Sequence, residues 1–213
     1  MPSRNPIFQL SPLYAILDPE QTQASSLEFV LHELLDAGVK LLQLRAKQMA
    51  PRDILKLAML ARSLTRSSNC TLIINDRIDV ARAADADGVH LGQEDLPLRV
   101  ARKLMKDKIV GISTHAVEQA IEAEQGGADY IGFGPLFGTS TKDTGYSPRG
   151  LEMLQQVRAA IAIPIVAIGG ITENNVSRVW DSGATSAAII SDLLRANDIT
   201  AKARRILALY HSG

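Results

Sequence analysis

Short runs of Val, Ile and Leu recur along this chain, and each gives way to a stretch whose apolar residues follow helical spacing. The runs are Leu13–Leu17, Lys40–Leu44, Leu72–Ile74, Gly88–Leu91, Ile109–Ile112, Tyr130–Phe133, Ile165–Ile168 and Ser186–Ile190. Most of them lack the polar–apolar alternation of a sheet with one wet face. A strand that is apolar on both sides is buried on both sides, which is the condition of a parallel sheet covered by helices. Helical patterns such as Ser26–Ala37, Pro51–Ser63, Val117–Gly126 and Asn174–Ser182 fall between the runs. Eight strands alternating with helices, without a break in composition, predict a single (β/α)8 barrel that takes up residues 1–213 as one domain.

The segment ends agree with this reading. Pro51 suits the first turn of a helix, where its missing N–H costs nothing, and Asp53 complements the helix dipole there. Gly38, Gly126-Gly127 and Gly183 each follow a helical pattern and precede a strand, as C-terminal caps do. The longest irregular stretch runs from Gly134 to about Arg149, and a loop of that length in a barrel is usually functional or disordered.

Bulk composition narrows the function classes. Apolar residues make up 46% and aromatic residues only 4%, so the predicted core is aliphatic. Lys plus Arg and Asp plus Glu both number 23, which leaves no global basic field to draw in nucleic acid or an anionic membrane. Any phosphate has to be held by a local cluster. Cys70 is the only cysteine, so no intrachain disulfide forms, and its place at the start of an apolar strand reads as a buried inert thiol. With no signal-like N-terminus and no apolar run near ~18 residues, the expectation is a soluble cytoplasmic protein.

In a barrel of this kind the chemistry belongs to the C-terminal ends of the strands, and the unusual polarity of this chain collects there. Strand 2 ends in Gln43-Leu-Arg45-Ala-Lys47, whose alternation sends Gln43, Arg45 and Lys47 to one side. Strand 3 ends in Asn75-Asp76-Arg77, the segment after strand 4 carries Gln93 and Asp95, and strand 5 ends at Gly111-Ile-Ser113. Two carboxylates at neighbouring strand ends suit a hard cation such as Mg2+, and the nearby cations suit a diphosphate beside it. A ring of structural salt bridges at the rim is the alternative reading of the same residues. A second cluster, Gly169-Gly170 after strand 7 and Ile190-Ser191 after strand 8, lies where barrels often bind a phosphate through backbone N–H groups. Thr139-Ser-Thr141-Lys142, in the long loop, combines hydroxyls with a cation and reads either as a phosphate-binding lid or as a solvated loop. His90 reads as a hydrogen-bonded inner histidine rather than a metal ligand, and Trp180 as packing.

Together these motifs resemble the thiamine-phosphate synthase (thiamine-phosphate pyrophosphorylase) family along almost the whole chain. The matching segments are Gln43-Leu-Arg-Ala-Lys47, Ile74-Asn-Asp-Arg77, His90-Leu-Gly-Gln-Glu-Asp95, Gly111-Ile-Ser113, Thr139-Ser-Thr-Lys142, Ile168-Gly-Gly170 and Ile190-Ser191, in the family's order. The resemblance implies a transferase that joins 4-amino-2-methyl-5-pyrimidinylmethyl diphosphate to 4-methyl-5-(2-phosphoethyl)thiazole, or its carboxylated form, releasing diphosphate and requiring Mg2+. It assigns Asp76 and Asp95 to the metal. It assigns Gln43, Arg45, Lys47, Asn75, Ser113 and Lys142 to the pyrimidine diphosphate, with Arg45, Lys47, Ser113 and Lys142 as the catalytic set. It assigns Thr139, Thr141, Gly170, Ile190 and Ser191 to the thiazole phosphate. Partners are then small-molecule substrates, with no nucleic acid and no membrane, and a homo-oligomer is allowed. Two departures from the family pattern are Leu17 ahead of Asp18, where Thr is frequent, and Gly138 ahead of Thr139, where Pro is common.

Three rivals remain. A related thiazole tautomerase shares the barrel but generally lacks the second aspartate and the Thr-x-Thr-Lys loop, both of which this chain has. A non-catalytic regulator that binds thiamine phosphates would not need the complete metal and diphosphate set. A phosphosugar barrel isomerase would share the strand 7–8 site without needing paired metal aspartates.

Overall fold

A computed structural model describes residues 10–22, 26–138 and 147–210. Thr139, Thr141 and Lys142 lie outside the described residues. The first half of the barrel runs β1 (Leu13–Leu17), α1 (Leu27–Asp36), β2 (Leu41–Leu44), α2 (Pro51–Ser67), β3 (Thr71–Asn75), α3 (Ile78–Ala83), β4 (Gly88–Leu91) and α4 (Leu98–Met105). The second half runs β5 (Ile109–Thr114), α5 (Val117–Gln125), β6 (Tyr130–Phe133), α6 (Gly150–Ala160), β7 (Ile165–Ile168), α7 (Val176–Asp181), β8 (Ser186–Ile189), a short α8 (Ser191–Leu194) and α9 (Ile199–Tyr210). All eight strands are parallel and pair in sequence order, and β1 closes the barrel against β8 with Ala15 opposite Ile189.

The lack of alternation in the strands has a direct cause. Two apolar clusters lie back to back across the strand wall. One fills the space between strands and helices, with Leu42, Ile74, Val89, Ile131 and Ala167 facing outward onto residues such as Leu31, Leu34, Ala58 and Val157. The other fills the barrel itself with Tyr14, Ile16, Leu41, Ile73, Tyr130, Val166 and Ala188. Most strands therefore supply an apolar residue to both sides, while β4 turns Gly88 and His90 inward.

The helix ends follow elementary capping rules. Ser26 caps α1 by accepting from the Phe29 N–H at 3.2 Å. Pro51 occupies the first turn of α2 with Asp53 beside it. Gly38, Gly127 and Gly183 all have positive φ, so the helix-to-strand joint recurs with the same backbone twist, which glycine adopts without a Cβ clash. Some boundaries differ from the sequence reading. Lys40 precedes β2 rather than opening it, and β3 gains Thr71 and Asn75 at its ends. Helix α2 runs on to Ser67 because Leu64 and Thr65 still meet the core. Ile190 leaves the sheet to open α8.

Candidate active site

The pocket lies at the C-terminal mouth of the barrel and encloses about 150 Å³. Gln43, Arg45, Asn75 and Ser113 line one side. Gly169, Gly170, Ile190 and Ser191 line the other. Part of the first polar cluster read from the sequence thus shares one cavity with the second, while Lys47, Asp76 and Asp95 of the first do not line it. Its floor is formed by Tyr14, Ile16, His90 and Val166.

Arg45 does not enter this cavity as a bare cation. The backbone N–H of Arg45 bonds to the Leu17 carbonyl at 3.0 Å, carrying the β1–β2 ladder one step past the strands. That step brings the Arg45 guanidinium onto the carboxylate of Asp18, which is only 1% exposed. Asp18 also accepts from the Glu20 N–H at 3.0 Å. A buried charge needs such a partner. The guanidinium keeps further N–H donors for a ligand.

Asp76 has φ of 62°, an unusual conformation for a residue with a side chain but one that Asp tolerates. Its own N–H is held by the His90 carbonyl at 2.8 Å, and Arg77 N–H turns back to Asn75 O at 2.8 Å. This turn ends β3 abruptly and places the Asp76 carboxylate 3.0 Å from Lys47 Nζ. Asp95 sits in the turn after β4 and accepts from the Gly92 N–H at 2.6 Å. Burial raises the Asp95 pKa most; the adjacent Asp76 carboxylate raises it further, while the Gly92 N–H and Lys47 pull the other way. Two carboxylates therefore face each other beside one ammonium. They form a cluster at the β3–β4 rim and do not line the main cavity. Among the described residues no group of three or more His, Cys, Asp or Glu side chains is arranged to hold a metal.

After β7, Gly169 and Gly170 have φ of 99° and 64°. A Cβ on Gly169 would come 2.6 Å from Pro135, and one on Gly170 would come 2.5 Å from the Gly138 carbonyl. Only glycine permits this backbone to pack so closely under the β6–α6 loop. Asn175 fastens the turn by donating to Gly170 O at 3.0 Å and accepting from Thr172 N–H at 2.8 Å. Behind it, Asp192 accepts from the Glu173 N–H at 2.9 Å and pairs with Lys202, which ties the loops after β7 and β8 together.

The residue pattern from 13 to 193 matches the model of a family described as thiamine monophosphate synthase. The chain belongs to that family. A thiamine-phosphate synthase from Halalkalibacterium halodurans is 50% identical over 88% of this chain and 89% of its own length. One from Chloroflexus aurantiacus is 42% identical over 92% of this chain and 91% of its own. The solved thiamine phosphate pyrophosphorylase of Pyrococcus furiosus superposes with a TM-score of 0.86 at 32% identity, covering 94% of this chain and 96% of that one. As a member of the thiamine monophosphate synthase family, the chain is an enzyme of the transferase class.

Sequence reasoning missed two features of the site. Asp18 was legible only as a departure beside Leu17, yet it anchors Arg45. Tyr14 and Tyr130 read as core residues, and both carry hydroxyls that meet 3.0 Å apart under the pocket. The signal available for each was its strand position: Asp18 just past the C-terminal end of β1, and Tyr14 two residues before Ile16 on the same inward face. His115 sits just before α5, where its N–H donates to the Gln119 side chain at 2.7 Å. Burial pushes the Cys70 thiol up to about 12, in keeping with an inert role. Trp180 packs edge-on against Tyr210 and donates to Pro12 O.

Proposed function

We propose that this chain is a thiamine-phosphate synthase that condenses 4-amino-2-methyl-5-pyrimidinylmethyl diphosphate with 4-methyl-5-(2-phosphoethyl)thiazole, or its carboxylated form, in a Mg2+-dependent reaction. The observation that carries the proposal is the shared cavity, with Gln43, Arg45, Asn75 and Ser113 facing Gly170, Ile190 and Ser191 across it. One side offers donors and cationic charge for a diphosphate. The other offers a tight glycine turn that admits the oxygens of a second phosphate. Two anionic ends held on opposite walls put the heterocycles between them.

The Asp76–Asp95 pair fits Mg2+ by its chemistry. Burial raises the Asp95 pKa most and the facing Asp76 carboxylate raises it further; a hard cation with oxygen ligands removes that repulsion. Bound there, Mg2+ would neutralise part of the charge on the departing diphosphate. Arg45, held by Asp18, and Lys47, held by Asp76, contribute fixed positive charge at the same end. Lys142 is assigned to this end as well. As the C–O bond to diphosphate breaks, positive charge grows on the pyrimidine methylene, and the 4-amino group delocalises it. The thiazole nitrogen supplies the electron pair for the new C–N bond, oriented by its phosphate at the β7–β8 wall. No protein nucleophile is required. Small molecules are the only partners this reaction needs.

Asp76→Ala and Asp95→Ala test the assignment. Each is expected to lower Mg2+-dependent diphosphate release by at least about 100-fold, the loss of one preorganised electrostatic element. Near-normal turnover in either variant would remove that aspartate from the metal site.

A further inference from the structure

A chain of side chains crosses the barrel beneath the pocket. Gln43 Nε2 donates to the Tyr14 hydroxyl at 2.9 Å. The Tyr14 and Tyr130 hydroxyls lie 3.0 Å apart. The Tyr130 hydroxyl lies 3.0 Å from His90 Nδ1, and His90 Nε2 lies 2.9 Å from Ser113 Oγ. The members come from β2, β1, β6, β4 and β5, so the chain ties together five strands.

The space for it is built into the strands. A Cβ on Gly111 would fall 2.1 Å from the Tyr130 ring, and one on Gly132 would fall 2.9 Å from the His90 ring. The Tyr130 and His90 rings stack with centroids 5.5 Å apart, while Tyr14 meets Tyr130 edge-on at 6.1 Å. Burial holds both tyrosines far above the ordinary phenol pKa, so the links are between neutral hydroxyls.

Neutral links of this kind carry direction. An amide nitrogen only donates, so Tyr14 accepts from Gln43 and passes its own hydrogen to the neighbouring Tyr130 oxygen. The same sense is kept when Tyr130 gives its hydrogen to His90 Nδ1, 3.0 Å away. A neutral imidazole that accepts at Nδ1 carries its proton at Nε2 and donates it to Ser113 Oγ. The serine keeps its own hydrogen for the pocket.

We propose that Tyr14, Tyr130 and His90 are positioning residues whose directional hydrogen-bond chain fixes Ser113 as a donor, so that the site selects a ligand presenting a bare acceptor, such as an aromatic ring nitrogen, at that point. The chain also couples its ends. A ligand that reversed the Gln43 amide would reverse each link and turn Ser113 into an acceptor. The substrate consequence rests on the reading of this wall as the pyrimidine site.

The test uses the full-length protein labelled with 15N at histidine, with the His90 ring assigned by comparison with His90→Gln. Long-range proton–nitrogen correlation is expected to show His90 as the Nε2–H tautomer. An Nδ1–H tautomer in the unsubstituted protein overturns the proposal. In Tyr130→Phe the tautomer preference is expected to be lost. KM for the pyrimidine diphosphate should rise about tenfold, the weight of one hydrogen bond to a ligand, with KM for the thiazole phosphate within about twofold. An unchanged tautomer, or equal rises in both KM values, contradicts a positioning role. The tautomer is read without substrate. Formation of thiamine phosphate with His90 as Nδ1–H therefore sinks the chain alone, whereas Nε2–H with no product sinks the functional reading alone.

Discussion

Replacing Asp18 by Ala isolates what holds Arg45 in the pocket wall. Asp18 is 1% exposed and Arg45 13% exposed, so the substitution leaves a largely buried guanidinium without its carboxylate. Removing one partner of a buried ion pair costs about 3–5 kcal/mol, most of it from the stranded charge. Arg45 faces the cavity and can recruit water there, which places the expected loss near the lower end, about 3 kcal/mol. For a chain of this size that lowers Tm by about 6–12 °C. Arg45→Met removes the charge itself, so the double variant should be less destabilised than the sum of the two singles, with a coupling of at least about 1.5 kcal/mol. The assay is urea unfolding of wild type, both singles and the double, followed by the intrinsic signal of Trp180. A loss below about 1 kcal/mol for Asp18→Ala, or a coupling near zero, would refute the view that this pair is a buried anchor. In the same variant KM for the pyrimidine diphosphate should rise more than KM for the thiazole phosphate, because only the first contact depends on where the guanidinium points.

Two further predictions concern the opposite wall. Gly170→Ala puts a Cβ into a φ of 64° and 2.5 Å from the Gly138 carbonyl, so KM for the thiazole phosphate should rise at least tenfold, measured at saturating pyrimidine diphosphate. A KM within twofold of wild type would mean the loop can yield. Glu173 tests the support behind that loop. Its hydrogen bond with Arg205 is the largest influence and lowers its pKa from the ordinary 4.5, with burial opposing and Lys202 assisting. A carboxylate with a depressed folded pKa contributes stability that is present above its unfolded value and is lost as pH falls through the folded one. Wild type should therefore exceed Glu173→Gln in stability by less than about 1 kcal/mol at neutral pH, with the gap closing below pH 4.5. A gap that widens in acid contradicts the assignment.

The barrel was legible in the sequence because its signal is redundant. Most strands need apolar residues on both faces, and the Leu13–Leu17 and Ile165–Ile168 runs show this without knowledge of their neighbours. The helix ends were legible for a similar local reason, since Pro51, Gly38 and Gly183 act through their own backbone. The carboxylate pair was half legible. The strand ends at Asp76 and Asp95 could be read, but the left-handed turn at Asp76 that aims it at Lys47 could not. Least legible were contacts set by strand register. Nothing in the local sequence ties Asp18 to Arg45, or Tyr14 to Tyr130 across 116 residues; these follow only once β1 lies against β2 and the barrel closes. The helix α2 boundary failed for a related reason, since Leu64 and Thr65 are kept helical by what they pack against rather than by their own spacing.

In the proposed reaction, two anion sites on facing walls of one cavity bring a pyrimidine diphosphate and a thiazole phosphate together. The most direct measurement mixes both substrates with the purified protein, with and without Mg2+, and follows thiamine phosphate and diphosphate. The two products are expected together in equal amounts, only when both substrates and Mg2+ are present. Absence of thiamine phosphate, with isomerisation of the carboxylated thiazole in its place, would contradict that reaction.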